Sequence, residues 1–174
     1  MSDERVYLRM VKKRDRPEFL VLMKKSRHLH EPWISPPLTE QSFNSYLKRT
    51  EQQDHEGHLI CLHGSEAIVG VININNIVGG SFLSASLGYY AGAPYGGCGY
   101  MREGLELIKA HAFDVLGLHR LEANIQPGNR RSIELVRSCG FHNEGTSKSF
   151  LFIGNSWRDH ERWTAVHPRT SLLP

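Results

Sequence analysis

Residues 94–104 read PYGGCGYMREG, with Gly96, Gly97 and Gly99 inside four positions. Glycine weakens both strands and helices. Yet this cluster joins a strand-like run, residues 82–91, to a helix-like run, residues 100–116. In the second run Met101, Leu105, Ile108, Ala112 and Val115 recur at helical spacing, while Arg102, Glu106, Lys109 and Asp114 take the other faces. A glycine turn that opens a helix is an anion device. The unpaired N–H groups of the helix start point outward, the dipole adds positive potential, and the missing side chains let a phosphate reach the backbone.

Three phosphate loops compete with a plain strand-to-helix turn. A P-loop needs a GK[ST] ending, which is absent. The dinucleotide fingerprint GxGxxG starts at Gly97 and Gly99 but meets Arg102 where the third glycine belongs. The remaining reading is a pyrophosphate loop of the acyl-CoA type, a GxG set directly before a long helix.

The rest of the chain reads as one α/β domain over residues 1–174. Its 174 residues suffice for a single core, and 40% hydrophobic with 22% charged residues is globular composition. No apolar run approaches a membrane span, and the charged start MSDERVYLRM does not resemble a signal peptide, so the expected setting is cytoplasmic. Three dispersed cysteines form no CxxC pair, and HLHE (His28, His30, Glu31) reads as a solvated loop, so no metal is expected. A net charge of +3 favours an anionic ligand and argues against a dedicated nucleic-acid binder.

A first strand spans Val6–Met10. Asp15 and Glu18, with Pro17 between, form an Asp-x-x-Glu helix start. A proline-rich loop, residues 28–37, leads to a helix opened by Thr39 with Phe43, Tyr46 and Leu47 on one face. Runs 58–63 and 67–78 form a hairpin. After the glycine helix come a strand at 119–127, a helix capped by Asn129 and stopped by Gly140, and a closing hairpin turning at Gly154 and Asn155. The expectation is a mixed sheet of about seven strands with about four helices.

A second constellation, EANIQPGNRRSIELVRSCGF, makes a resemblance specific. Together with NIVGGSF, LGYYAGAPYGGCGYMREGLELI, the early EPW and the tail SWRDH, it resembles the GNAT superfamily of N-acetyltransferases, in its RimJ/RimL-like group. That group is bacterial and acetylates ribosomal-protein N-termini. The likeness runs from about residue 6 to 166. It implies a twisted mixed sheet whose central parallel strands splay around acetyl-CoA. By motif, Leu87, Tyr89 and Ala91 would pair with the pantetheine arm. Gly96, Gly97, Cys98, Gly99 and Tyr100 would hold the pyrophosphate, and Asn129 the pantetheine amide region. Ser132 would sit at the thioester sulfur, and Glu31, Trp33 and Tyr46 would border the acceptor. A homodimer rests on the resemblance alone. Pro94 replaces a glutamine or arginine usual before the glycines, Ser86 a common glutamate, and Val136 a common tyrosine acid.

The implied reaction is attack of a neutral amine on a thioester. At pH 7, freeing an α-amine of its proton costs about 1 kcal/mol, against about 4.6 for lysine. A chain with Ser86 in place of a carboxylate base handles the first more easily. The expected acceptor is therefore a protein or peptide N-terminus. A small amine and a non-catalytic acyl-CoA-binding module are the alternatives.

Overall fold

The computed structural model describes residues 4–168; residues 1–3 and 169–174, included in the single-domain reading, lie outside the described residues. Seven strands form one sheet: β1 (Val6–Met10), β2 (His55–Leu62), β3 (Ile68–Val78), β4 (Ser84–Ala91), β5 (Arg120–Ile125), β6 (His142–Ile153) and β7 (Ser156–Val166). Their order is β1-β2-β3-β4-β5-β7-β6. The β4/β5 pair is parallel and the pairs around it are antiparallel. The mixed sheet of seven strands is as expected.

The helices are α1 (Arg16–Lys25), α2 (Arg27–His30), α3 (Glu40–Thr50), α4 (Tyr100–Ala110) and α5 (Arg130–Ser138). On one sheet face, Leu105 and Ile108 of α4 and Ile133 and Val136 of α5 pack with Ile60, Ile72, Ile74 and Leu121. On the other, Phe19 and Met23 of α1 and Phe43 of α3 pack with Leu59, Cys61, Ile68 and Val71. These are the apolar stripes the periodicity marks, and their burial is the main stabilising term. Among the described residues no helix is long and apolar enough to cross a membrane.

Three details depart from the sequence expectation. Among the described residues there are five α-helices, because the short α2 begins just before the segment read as loop. It is held from outside: His30 Nε2 donates to the Ala91 carbonyl of β4 at 2.8 Å. The 100–116 helix is α-helical to Ala110 and then widens into a π-helical turn, His111–Val115. Apolar spacing alone does not separate the two windings. Third, the Asp-x-x-Glu helix start is not used as a cap. Both Asp15 oxygens accept from Arg9 at 2.9 Å, and Glu18 accepts from the Ile68 amide at 2.7 Å. Charged and long-range partners outcompete a local cap.

Arg120 of β5 reaches over to Glu144 of β6 in a forked pair of 2.9 and 2.5 Å, and Thr164 of β7 donates to the same carboxylate at 2.8 Å. Arg120, helped by Thr164, holds the Glu144 carboxyl down at about 2. A depressed carboxyl pKa adds stability above the unfolded value near 4.3, lost as pH falls toward the folded one. The wild-type advantage over Glu144→Gln is therefore expected to vanish between about pH 4.5 and 2. The pair is exposed, so the advantage at neutral pH is within about 1 kcal/mol. Urea melts of both proteins across that range measure it, and a gap that persists at pH 2 contradicts the assignment.

Candidate active site

The parallel pairing of β4 and β5 runs from Ser84↔Arg120 to Leu87↔Ala123 and stops. Beyond it β4 stays paired with β3 as far as Ala91, and β5 with β7 as far as Ile125. Each strand keeps its outer neighbour, so the gap opens between them. The inner backbone groups of residues 88–91 lose their ladder partners; His30 takes up the Ala91 carbonyl, and the remainder is a free edge inside the fold. An open groove of about 1990 Å³ runs along this gap.

The glycine loop stands at one end of the groove. Gly97 (φ +76°) and Gly99 (φ +83°) are left-handed, and Gly99 is the N-cap of α4. The Gly99 carbonyl takes the Arg102 and Glu103 N–H groups, at 3.1 and 3.2 Å. The N–H groups just before them have no helical carbonyl to reach. Arg5 fastens the loop from outside. It donates to the Cys98 carbonyl at 3.0 Å, pairs with Glu103 and lies 4.9 Å over the Tyr100 ring. Arg102, Arg130 and Arg131 line the same groove, as an anion site requires.

At the head of α5, the Asn129 side chain accepts the Ser132 N–H at 3.3 Å, the cap the sequence announced. The cap uses Oδ1 and leaves the amide N–H donors for a second partner. Ser132 thus sits in the first turn of α5, where the helix dipole favours negative charge. Its hydroxyl lies 2.6 Å from that of Tyr89. Burial drives the Tyr89 phenol well above its ordinary pKa, only partly offset by the Ser132 hydrogen bond, so it stays a neutral donor. This pairing was not visible in the sequence, because 43 residues separate the two side chains.

The α3 side of the groove is polar. Tyr46 donates to Asn73 Oδ1 at 2.7 Å. Tyr90 is buried beside them, and that burial raises its phenol to about 12. Glu122 stands opposite Ser86 in the parallel register, so β5 supplies a carboxylate next to the position where β4 lacks one. Glu122 already accepts from Arg120 at 3.0 Å and Arg162 at 2.9 Å. Six buried side-chain polar atoms have no partner among the described residues, and five belong to groove residues: His30, His55, Tyr90, Asn124 and Arg162. Buried polar atoms are normally satisfied, so their concentration here marks a place built for polar ligand or water.

Of the residues expected at the site, Leu87, Tyr89, Ala91, Gly96, Gly97, Gly99, Tyr100, Asn129, Ser132, Trp33 and Tyr46 line this one groove. Cys98 is exposed on the loop and Glu31 is exposed and paired with Arg27 at 2.7 Å; neither side chain belongs to the groove lining. Trp33 packs against Gly128, where an added Cβ would stand 3.0 Å from its ring, and its carbonyl accepts from Gln126 at 3.3 Å. It therefore clasps the loop that carries Asn129 while lining the groove.

A parallel pair opened at its end, beside a glycine-fronted helix and a capped serine, defines the class: an N-acetyltransferase of the GNAT fold. Residues 5–142 match the family model described as an acetyltransferase (GNAT) domain, and the chain belongs to that family. It is 30% identical over 170 residues to the ribosomal protein uS5-alanine N-acetyltransferase of Escherichia coli (strain K12), spanning 92% of this chain and 87% of that protein. The solved structure of Mycobacterium smegmatis RimJ in complex with CoA-disulfide superposes with a TM-score of 0.86 at 26% identity, over 96% of this chain and 84% of that one. Spermidine N-acetyltransferase from Vibrio cholerae, in complex with CoA and spermine, superposes with a TM-score of 0.79 at 17% identity, over 94% of this chain and 96% of that one. The last is a likeness of fold alone.

Proposed function

We propose that this enzyme moves the acetyl group of acetyl-CoA to the α-amine of a protein or peptide N-terminus. The reading of the reaction is carried by the Tyr89–Ser132 hydroxyl pair, set at the head of α5 beside the free edge of β4. The residues fit the donor. The edge of β4 beyond Leu87, apart from the Ala91 carbonyl that His30 holds, suits the pantetheine amides as an added strand. The backbone of Gly96 through Tyr100 suits a pyrophosphate, with Arg102, Arg130 and Arg131 nearby. Acetyl-CoA supplies a thioester whose carbonyl accepts the amine and whose sulfur departs.

In this reading Ser132 Oγ–H faces the departing sulfur and gives it a proton or hydrogen bond. Tyr89 stays protonated and donates to Ser132 Oγ, which leaves the serine hydrogen free for the sulfur; the proton shed by the attacking amine balances the one the thiolate takes up. A phenol is the more acidic partner, so the donor direction runs from tyrosine to serine. The positive end of α5 adds to the stabilisation of a thiolate.

Charge supports the choice of acceptor. The groove is lined by five arginines (Arg49, Arg102, Arg130, Arg131, Arg162) and three glutamates (Glu56, Glu122, Glu134). Glu122 is held by two arginines and Glu56 by two histidines. Little acid is left over to collect a polycation, which disfavours a polyamine. With the nearby carboxylate engaged, an amine that loses its proton cheaply is the better match.

Thiol release from acetyl-CoA tests this. Peptides beginning with Ala or Ser are expected to react and their N-terminally blocked forms to be inert. The kcat/KM for the free peptides should rise with pH and level off near about 8, as the α-amine deprotonates. Release with spermidine or other small amines, and none with free peptides, would replace this acceptor by a small molecule.

A further inference from the structure

On the α4 face of the sheet, at the margin of the groove that Glu56 also lines, three Lewis bases converge. Glu56 and His58 stand two apart on β2 and so share a face. His111 comes from the far end of α4, at the start of the π-helical turn. Both imidazoles place Nε2 at 2.8 Å from the same oxygen, Glu56 Oε2, and the two rings lie 5.0 Å apart. All three donor atoms lie within 4.8 Å of one another. His58 is buried, and Glu56 and His111 are partly so. A surface pocket of about 360 Å³, lined by His58 and His111 with Tyr7, Met10 and Leu107, leads to them.

We propose that Glu56, His58 and His111 form a binding site for one divalent transition metal of the Zn²⁺ class. Two imidazole nitrogens and one carboxylate oxygen suit Zn²⁺, Co²⁺ or Ni²⁺ rather than Mg²⁺ or Ca²⁺. An ion about 2.0–2.1 Å from each donor sets the donors about 3.3 Å apart, so the two 2.8 Å contacts open by roughly half an ångström while the two imidazole nitrogens, within 4.8 Å of each other, adjust toward the same spacing by side-chain rotation. The pocket supplies the entry path and room for water in the remaining coordination position. A π turn inside a helix is often functional, and here it sits where the third ligand is delivered. The ion would tie β2 to the C-terminal end of α4, the helix whose other end carries the glycine loop. The sequence reading expects no metal, and the third ligand, His111, lies 55 residues from Glu56.

The test uses tag-free protein, stripped with EDTA and desalted, titrated with Co²⁺ and then with Zn²⁺. One equivalent of Co²⁺ per chain should give a visible ligand-field spectrum that Zn²⁺ displaces. Zn²⁺ at about a hundred times its Kd should raise Tm by about 5–10 °C. His111→Ala and Glu56→Gln should each weaken Zn²⁺ by about 100-fold or more, because even loss of an outer-shell partner costs about 10- to 100-fold. His28→Ala, a histidine outside the cluster, should bind as the wild type does. Melting of the metal-free variants checks that they fold. Wild-type protein that takes up neither ion overturns the site and leaves a proton-shared cluster. Undiminished binding by folded His111→Ala overturns it equally, by placing the ion elsewhere.

Discussion

The Ser132→Ala enzyme is expected to lose about 10²- to 10⁴-fold in kcat, the range that a positioned acid supplies, with KM for acetyl-CoA little changed. Tyr89→Phe is expected to lose less, about tenfold, because it removes one hydrogen bond behind the acid rather than the acid. The double variant should be about as slow as Ser132→Ala alone, since members of one proton chain are not additive. Steady-state rates with a reactive peptide measure all three. If Tyr89→Phe proves the slower single variant, the tyrosine reaches the sulfur and the serine merely orients it. A Ser132→Ala rate within about threefold of wild type would remove the pair from the chemistry, because positioned acids contribute far more. The same substitution leaves a buried tyrosine hydroxyl without its partner, at about 1–3 kcal/mol in stability. Rates should therefore be compared well below the melting transition.

Gly97→Asp is expected to weaken CoA binding by about 10- to 100-fold relative to Gly97→Asn, the size of a like-charge contact at a few ångströms in a partly screened site. The pair isolates charge from shape. Gly97 has φ +76°, and an added Cβ would meet nothing within 4 Å. Asp and Asn both tolerate this left-handed conformation better than other side chains, so the two variants should melt together. Only Asp confronts the phosphates with negative charge. Its deficit should widen as salt is lowered, because salt screens exposed charges. Equal CoA affinities for the two, by calorimetry, would move the pyrophosphate away from this loop.

Much of the cofactor half of the site was legible along the chain. The glycines before α4 are required by backbone geometry at Gly97 and Gly99, and the Asn129 cap spans three residues. Such features depend on neighbours in sequence, so residue type and spacing carry them. The amphipathic helices and the closing hairpin were legible for the same reason. The acceptor side was legible only in part: Trp33 and Tyr46 line the groove. Trp33 turned out to grip Gly128, and Glu31 to pair with Arg27 outside the groove lining. Asp15 and Glu18, an apparent cap, serve Arg9 and the Ile68 amide instead.

Local chemistry therefore settled most of the elements, the glycine loop and the place of the serine at the head of α5. Tertiary structure alone decided which side chains meet across them. The end of β4/β5 pairing at Leu87 opens the groove, and the packing of α5 beside α4 and β5 brings Ser132 to Tyr89. The register of β5 sets Glu122 opposite Ser86, and the π turn after α4 carries His111 to Glu56. The physical reason is common to all four. A helix cap or a glycine turn is satisfied within a few residues, whereas these partners lie tens of residues apart and are selected by strand register and helix packing.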